Sequence, residues 1–451
     1  MPAPQVAGSP AGKTIVSYDN IVQPFPDTQT LLGMARQAAG QVIPDPKRAD
    51  ARVAQLSGAL DDLKTSQGNN SRVMNTPRNA MAGLLQTHLA MRAQQENKLE
   101  SFILRSVDFV LEAFEVKFSS ADWIGYMLSF FTWIEDLAPA ACPPAPPVAA
   151  PIPDSLRMAV IGDWGTGLYG APVCIDSIRS EPDGYDLLLH LGDVYYSGLD
   201  TEVEERFEKF WPQPTASTMG RSLNGNHEMY TGGHAYFEKL LPYVNQTSSY
   251  FAFQNNFWTL IMLDTAYNQP FGGQEGDLFQ AQIDWLDGII QAAGDRKIVL
   301  FSHHQPFSLL DPNQGPKLVA ALGKYLSSRK IFAWYWGHEH RCVLYDPHPA
   351  WGFHGRCVGH GGFPQNRSDL SNAPFNDQFG DQWRLVSGKD APPGGTAIPG
   401  GMVLDTANLY IPTFETQFSP HGFMRLEFNK GALTEFVRAP DNANIYLEPL
   451  A

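Results

Sequence analysis

The sequence predicts an α/β unit preceded by a small all-α region, and three observations carry that reading. Before a proline-rich stretch, apolar residues recur at three- and four-residue steps, as on a helix face. After it, short runs of Val, Ile, Leu and aromatics alternate with helical stretches and loops. The stretch itself, 138–153, holds seven prolines in sixteen residues, which no helix accommodates. The chain therefore divides into a helical region over 1–137, a linker over 138–153 and a larger unit over 154–451.

In the first region helices are expected over 30–39, 47–64, 79–118 and 121–137, assembled as an antiparallel bundle. The longest carries Leu84, Leu85, His88, Met91, Leu99, Ile103, Val107, Val110 and Phe114 on one stripe, and His88 there reads as a packed residue. The most apolar run, 123–134, is bounded by Asp122 and Glu135. It is too short to span a bilayer. In the second region, 157–161, 185–191, 257–263, 297–301 and 331–336 read as buried strands. Helices are expected over 278–293 and 317–328, and a hairpin over 423–438 turning at Asn429-Lys430-Gly431.

Charge narrows the function classes. The 451 residues carry a net −15, of which −13 falls on 151–451. A polyanion-binding surface needs the opposite sign, so no nucleic-acid-binding surface is expected. Four cysteines, Cys142, Cys174, Cys342 and Cys357, are too sparse for a disulfide scaffold or a CxxC zinc ribbon.

Eleven of the twelve histidines follow the proline-rich stretch, most of them just past an expected strand. Loops at the carboxyl ends of strands are where α/β folds build their sites. Five such loops recur in order: Gly162-Asp163-Trp164-Gly165, Gly192-Asp193-Val194-Tyr195-Tyr196, Gly225-Asn226-His227-Glu228, His303-His304-Gln305-Pro306 and Gly337-His338-Glu339-His340. Each puts a metal-competent side chain beside a residue that lets the chain turn tightly. Taken singly, a Gly-Asp is an ordinary turn and a His pair an ordinary surface pair. At a strand end, His338 and His340 face the same side, as paired ligands do. Together the loops supply two carboxylates, an Asn carbonyl, histidines and a tyrosine, about enough for two cations. Such a pair suits phosphoryl displacement.

The ordered set GD…GDxxY…GNH[DE]…HxP…GHxH resembles the calcineurin-like metallophosphoesterases, specifically their purple acid phosphatase branch, over about 155–365. The branch rests on Gly165, where most of the superfamily has a histidine, and on Tyr196, three residues after the second aspartate. The resemblance implies a two-sheet αββα sandwich. It also implies Fe(III) held by Asp163, Asp193, Tyr196 and His340, with a divalent metal (Fe, Zn or Mn) held by Asn226, His304, His338 and a bridging Asp193. His304 takes that role over His303 because the family's ligand lies two residues before a proline, here Pro306. His303 is then a candidate substrate or second-sphere contact, and His227 resembles the residue that protonates the leaving group, with Glu228 orienting it. The implied activity is hydrolysis of phosphate monoesters by a metal-bound hydroxide. Diesters, nucleotides and phospholipids are the alternative substrates, and an inert domain serving a binding role is the alternative function.

Gly165 to Gly170 also matches GxGxxG, but Gly162-Asp163 precedes it as a metal motif and Pro172 follows. No GxSxG nucleophile elbow is present. The polar segment 364–401 reads as a lid or binding loop without structure of its own. Trp164, Tyr169, His234, His360 and Trp383 are further candidates to line a cleft. The helical region is expected to cover the site, mediate oligomers or contact a partner. Neither a basic n-region nor an apolar h-region opens the chain, which leans toward the cytoplasm, with a secreted or periplasmic location as the alternative.

Overall fold

The computed structural model describes residues 28–66, 81, 84, 85 and 123–451, apart from 166, 168, 169, 196, 269–274, 312, 313, 368, 369, 371, 379, 380, 392–395 and 412–414. Two compact units result, the first ending at Pro139 but also including Tyr230–Gly232, the second comprising Ala140–Met229 and Gly233–Ala451. In the first, α1 (Thr28–Val42), α2 (Pro46–Ser66) and α3 (Trp123–Asp136) pack together. Leu31, Ala35 and Ala39 of α1 meet Val53, Leu56 and Leu60 of α2 and Met127, Phe130, Phe131 and Ile134 of α3 in one apolar cluster. These are the helical steps that the sequence shows. Pro46 opens α2, where its missing N–H is harmless. Glu135 joins α3 to α2 through Arg52, at 3.0 Å, and Arg48. Of the helix expected over 79–118, only Met81, Leu84 and Leu85 are described, all helical and buried; the rest, His88 included, lies outside the described residues. Among the described residues no helix is long and apolar enough to cross a membrane.

The second unit contains two mixed sheets. One runs β1 (Ala150–Pro151), β5 (Phe251–Gln254), β6 (Trp258–Met262), β7 (Lys297–Ser302), β8 (Ile331–Trp336), β10 (His354–Val358), β9 (Cys342–Tyr345), β12 (Gly401–Leu404), β11 (Trp383–Val386). The other runs β15 (Asn444–Pro449), β14 (Ala432–Arg438), β13 (Phe423–Asn429), β2 (Ser155–Ile161), β3 (Leu187–His190), β4 (Met219–Ser222). Side chains alternate across each strand. Met158, Val160, Leu187 and Leu189 therefore meet Leu260, Val299, Phe301 and Tyr335 between the sheets. Ile298, Leu300, Trp334 and Trp336 turn outward, under α5 (Gln280–Ala293) and α6 (Pro316–Ser327). Ala159, Ile161 and Leu188 turn the other way, under α4 (Gly170–Arg179). This is the αββα sandwich. Burial on both faces is why the central strands read as unbroken apolar runs.

Strands β2, β3 and β4 run parallel, as do β6, β7 and β8. Loops leaving the carboxyl ends of β2, β3, β4, β7 and β8 carry the five motifs.

Two segments differ from the sequence reading. Residues 140–153, taken as a linker, lie along the second unit. Proline carbonyls can accept but proline nitrogens cannot donate, and side-chain donors fasten the strip. Ser248 Oγ donates to the Pro143 carbonyl at 2.9 Å, Trp285 Nε1 to Pro146 at 2.8 Å and Tyr267 Oη to Ala140 at 3.1 Å. Pro151 ends β1, paired in parallel with β5.

The segment 364–401, expected to lack structure, includes β11, antiparallel to β12. Its Trp383 is fully buried between the sheets, not in a cleft. Asp405 ties this segment down through Arg367 and, at 2.7 Å, Arg384. Burial would raise the Asp405 carboxyl, but the two guanidinium groups hold it below the usual range. A depressed carboxylate contributes stability above its unfolded value, near pH 4, and loses it as pH falls through the folded value. Asp405→Asn is expected to lower stability by about 3 kcal/mol at neutral pH, with the gap to the parent narrower at pH 3. Urea titrations at the two pH values check it.

Candidate metal centre

Four of the candidate donors have backbones that L-residues rarely adopt: Asp163 (φ 56°), Asp193 (φ 75°), His338 (φ 69°) and His340 (φ 55°). They are half of the eight non-glycine residues with positive φ among those described. Such strain clusters where surrounding structure holds residues for a purpose. It also changes the expected geometry. With both histidines left-handed, His338 and His340 do not share a side as strand residues would, and they join different donor groups.

The first group is Asp163, Asp193 and His340, with His340 Nε2 3.4 Å from Asp163 Oδ1. The second is His303, His304 and His338. Asn226 lies beside the second group, and Asp193 links the two. Asn226 Oδ1 lies 2.9 Å from His303 Nε2 and 3.0 Å from His338 Nδ1, and Asp193 Oδ1 lies 3.3 Å from His303 Nε2. All these residues are buried except His338, which is partly so.

The two adjacent histidines differ in chemistry. Burial would strip His303 of its proton, yet Asp193, Asp163 and Glu228 around it raise it to about 9. A doubly protonated His303 donates Nδ1–H to the Leu191 carbonyl at 2.9 Å and Nε2–H toward Asn226 and Asp193. It then has no lone pair for a cation. His303 is fully buried, and its contacts run to Asn226 and Asp193, two of the expected ligands. Burial, then His338 and His303, push His304 well below the ordinary histidine value, so it is neutral. Its Nδ1 lies 3.0 Å from Thr265 Oγ1. Donation there leaves the lone pair on Nε2, a buried atom with no hydrogen-bond partner among the described residues. Asp163 Oδ1 is likewise buried and without such a partner. A buried orphan donor or acceptor is costly, and a cation in each group would engage one of them. The residues present thus fit a dimetal centre.

Of the other expected residues, His227 is nearly buried with Nε2 4.0 Å from Asp193 Oδ2. Tyr196 and Tyr169 lie outside the described residues. Tyr195, for which the sequence gives no ligand role, has its hydroxyl 3.2 Å from Asp193 Oδ2 and 2.7 Å from His340 Nε2. Trp164 is fully buried and donates to the Arg206 carbonyl, and His234 is exposed against Glu238. His360 is buried outside both donor groups. Its loop props the first aspartate: Gly361 and Gly362 donate to the Gly162 and Asp163 carbonyls, and a Cβ on Gly359 would fall 2.5 Å from Asp163 Oδ2. Thr265 carries no motif in the sequence.

Residues 156–342, which contain every one of these expected ligands, match the family model of the calcineurin-like phosphoesterases. The second unit carries a calcineurin-like phosphoesterase domain. Its curated relatives include the tartrate-resistant acid phosphatase type 5 of Sus scrofa, 25% identical over 237 residues, or 45% of this chain and 69% of that protein. The Mus musculus protein of the same name is 25% identical over 42% of this chain and 68% of its own length. Among solved structures, the purple acid phosphatase PPD1 from yellow lupin (Lupinus luteus) seeds covers 66% of this chain and 54% of that one, at 14% identity and TM-score 0.41. PhoD covers 69% and 70%, at 12% identity and TM-score 0.39. Both structural likenesses are distant.

Within the phosphoesterase domain Glu228 does more than flank a histidine. Its buried carboxylate accepts the N–H groups of Asp193 at 3.0 Å, Val194 at 2.7 Å and Gly225 at 2.9 Å. It locks the second aspartate loop to the Asn226 loop, and a Cβ on Gly225 would fall 2.2 Å from Asp193 Oδ1. Glu228→Ala leaves three buried N–H groups without their acceptor, at about 1–3 kcal/mol each. The expected result is a lower thermal midpoint together with weaker metal retention. Glu228→Gln, which keeps one accepting oxygen, should recover part of both. Calorimetry and elemental analysis of the two variants check this.

Proposed function

We propose that the phosphoesterase domain is a dimetal acid phosphatase that hydrolyses phosphate monoesters. The observation that carries this reading is the position of Asp193, whose two oxygens reach toward both donor groups at once. Asp163, Asp193, a tyrosine and His340 would hold Fe(III). Asn226, His304 and His338, with Asp193 between, would hold a divalent Fe, Zn or Mn. Two such cations supply Lewis acidity and an activated water for displacement at phosphorus.

The remaining chemistry belongs to the chain. His303 sets the direction of Asn226 Oδ1 and Asp193 Oδ1. Thr265 turns His304 Nε2 into the centre. His227, whose Nε2 lies 4.0 Å from Asp193 Oδ2, would give a proton to a departing alkoxide. The acid phosphatase names of the curated relatives support the monoester class.

Three substrates test both points. His227→Ala should lose about 10²–10⁴-fold on an alkyl phosphate, and far less on an aryl phosphate, whose leaving group needs no proton. Equal losses on the two would remove the general-acid role. Faster turnover of a bis-aryl than of a mono-aryl phosphate by the parent chain would move the assignment to diesters.

A further inference from the structure

We infer that Tyr195, two residues after the second aspartate, supplies the phenolic oxygen of the Asp163–Asp193–His340 donor group in place of Tyr196. This rests on the ferric reading above and says which side chain of this chain completes it. The Tyr195 oxygen stands 2.7 Å from His340 Nε2 and 3.2 Å from Asp193 Oδ2, and both of those residues belong to the group. A tyrosine serving only as core would need its ring alone there. This one brings its oxygen to an imidazole and a carboxylate in a site where every polar atom is at a premium.

The ring is held in that direction from several sides. The Tyr195 N–H donates to the Gly165 carbonyl at 3.0 Å, and the Tyr195 carbonyl accepts Arg206 Nη1 at 2.7 Å. Phe363 packs edge-on against the ring, with centroids 5.4 Å apart, and the whole side chain is buried. Val194 bridges to Gly165 on the neighbouring aspartate loop, so the backbone on either side of Asp193 is tied to the Asp163 loop. Swinging the phenol away would break this packing and strand its hydroxyl. A deprotonated phenol is a hard anionic donor suited to a trivalent cation, and with two carboxylates and His340 it gives the group four donors.

The test uses the full chain, loaded with iron and a divalent metal, and reads the visible charge-transfer band beside the iron content. Tyr195→Phe should lose the band, and Tyr196→Phe should keep it at the parent's intensity per iron. Loss of the band in Tyr196→Phe overturns the assignment, and this variant decides the matter even if Tyr195→Phe does not fold. Retention of the band by a folded, iron-loaded Tyr195→Phe overturns it too. A parent chain that binds two metals including iron but shows no band would instead defeat the ferric-phenolate reading. The two failures are therefore distinguishable.

Discussion

Replacing Asp193 by alanine is expected to strip the chain of both metals and of phosphatase activity while leaving it folded. Asp193 is 1% exposed, so its charge survives only because of what surrounds it. Burial works to raise its pKa, but His303, His227 and His338 outweigh burial and hold it well below the usual carboxylate range. The dependence is mutual, since Asp193 is the largest influence keeping His303 charged against burial. Alanine removes the one carboxylate that reaches both donor groups and leaves His303 to lose its proton. Each group then holds fewer anionic donors, and the fall in turnover should exceed the ~10²–10³-fold typical of a single electrostatic donor. Elemental analysis and turnover of an aryl phosphate are the measurements. Full occupancy or full activity in Asp193→Ala would sink the dimetal assignment. Asp193→Asn, which keeps the shape and an accepting oxygen but not the charge, should resemble the alanine variant in metal content and, like it, lack the parent's metal-dependent gain in thermal stability.

Metal loading should raise the thermal midpoint of the chelator-stripped chain by about 8 °C or more. The metal-free centre is internally unfavourable. Four residues sit in left-handed backbone, and Asp163 Oδ1 and His304 Nε2 are buried without hydrogen-bond partners among the described residues. Burial and the neighbouring Asp193 raise the Asp163 pKa well above its ordinary value, although His303 opposes them. A cation would engage each of these atoms in the folded chain alone. At a thousand times its dissociation constant, one bound ion stabilises by about 4 kcal/mol. At roughly 2 °C per kcal/mol for a unit of this size, that is the expected shift. Thermal scans of the stripped chain with and without Fe, Zn or Mn read it directly. The shift should be absent in Asp193→Ala, whereas an equal shift in that variant would place the metal elsewhere.

Much of this architecture was legible along the chain. The expected strands over 157–161, 297–301 and 331–336 coincide with β2, β7 and β8 to within two residues. Strands buried on both faces must be apolar throughout, and that shows locally. Strand β4, Met219–Ser222, passed unread because a glycine and an arginine interrupt it. Strand β11 lay hidden in a Gly- and Pro-rich segment, since its stability comes from Trp383–Val386 meeting Gly401–Leu404 across a long loop. The proline run looked like a spacer because the donors that fasten it, Ser248, Tyr267 and Trp285, lie more than a hundred residues away.

The division within the centre follows the same rule. By itself the sequence determined the α/β class, the helical region before it, the five loops and the residue types that can hold cations. Those properties depend on composition and spacing over a few residues. Only the tertiary structure decided which donors share a group, which of His303 and His304 keeps a free lone pair, and that the Tyr195 hydroxyl reaches Asp193 and His340. These depend on backbone dihedrals, on burial and on charges brought together from strands far apart in the chain. A proton on His303 is set by Asp193, 110 residues earlier, and no local pattern records it.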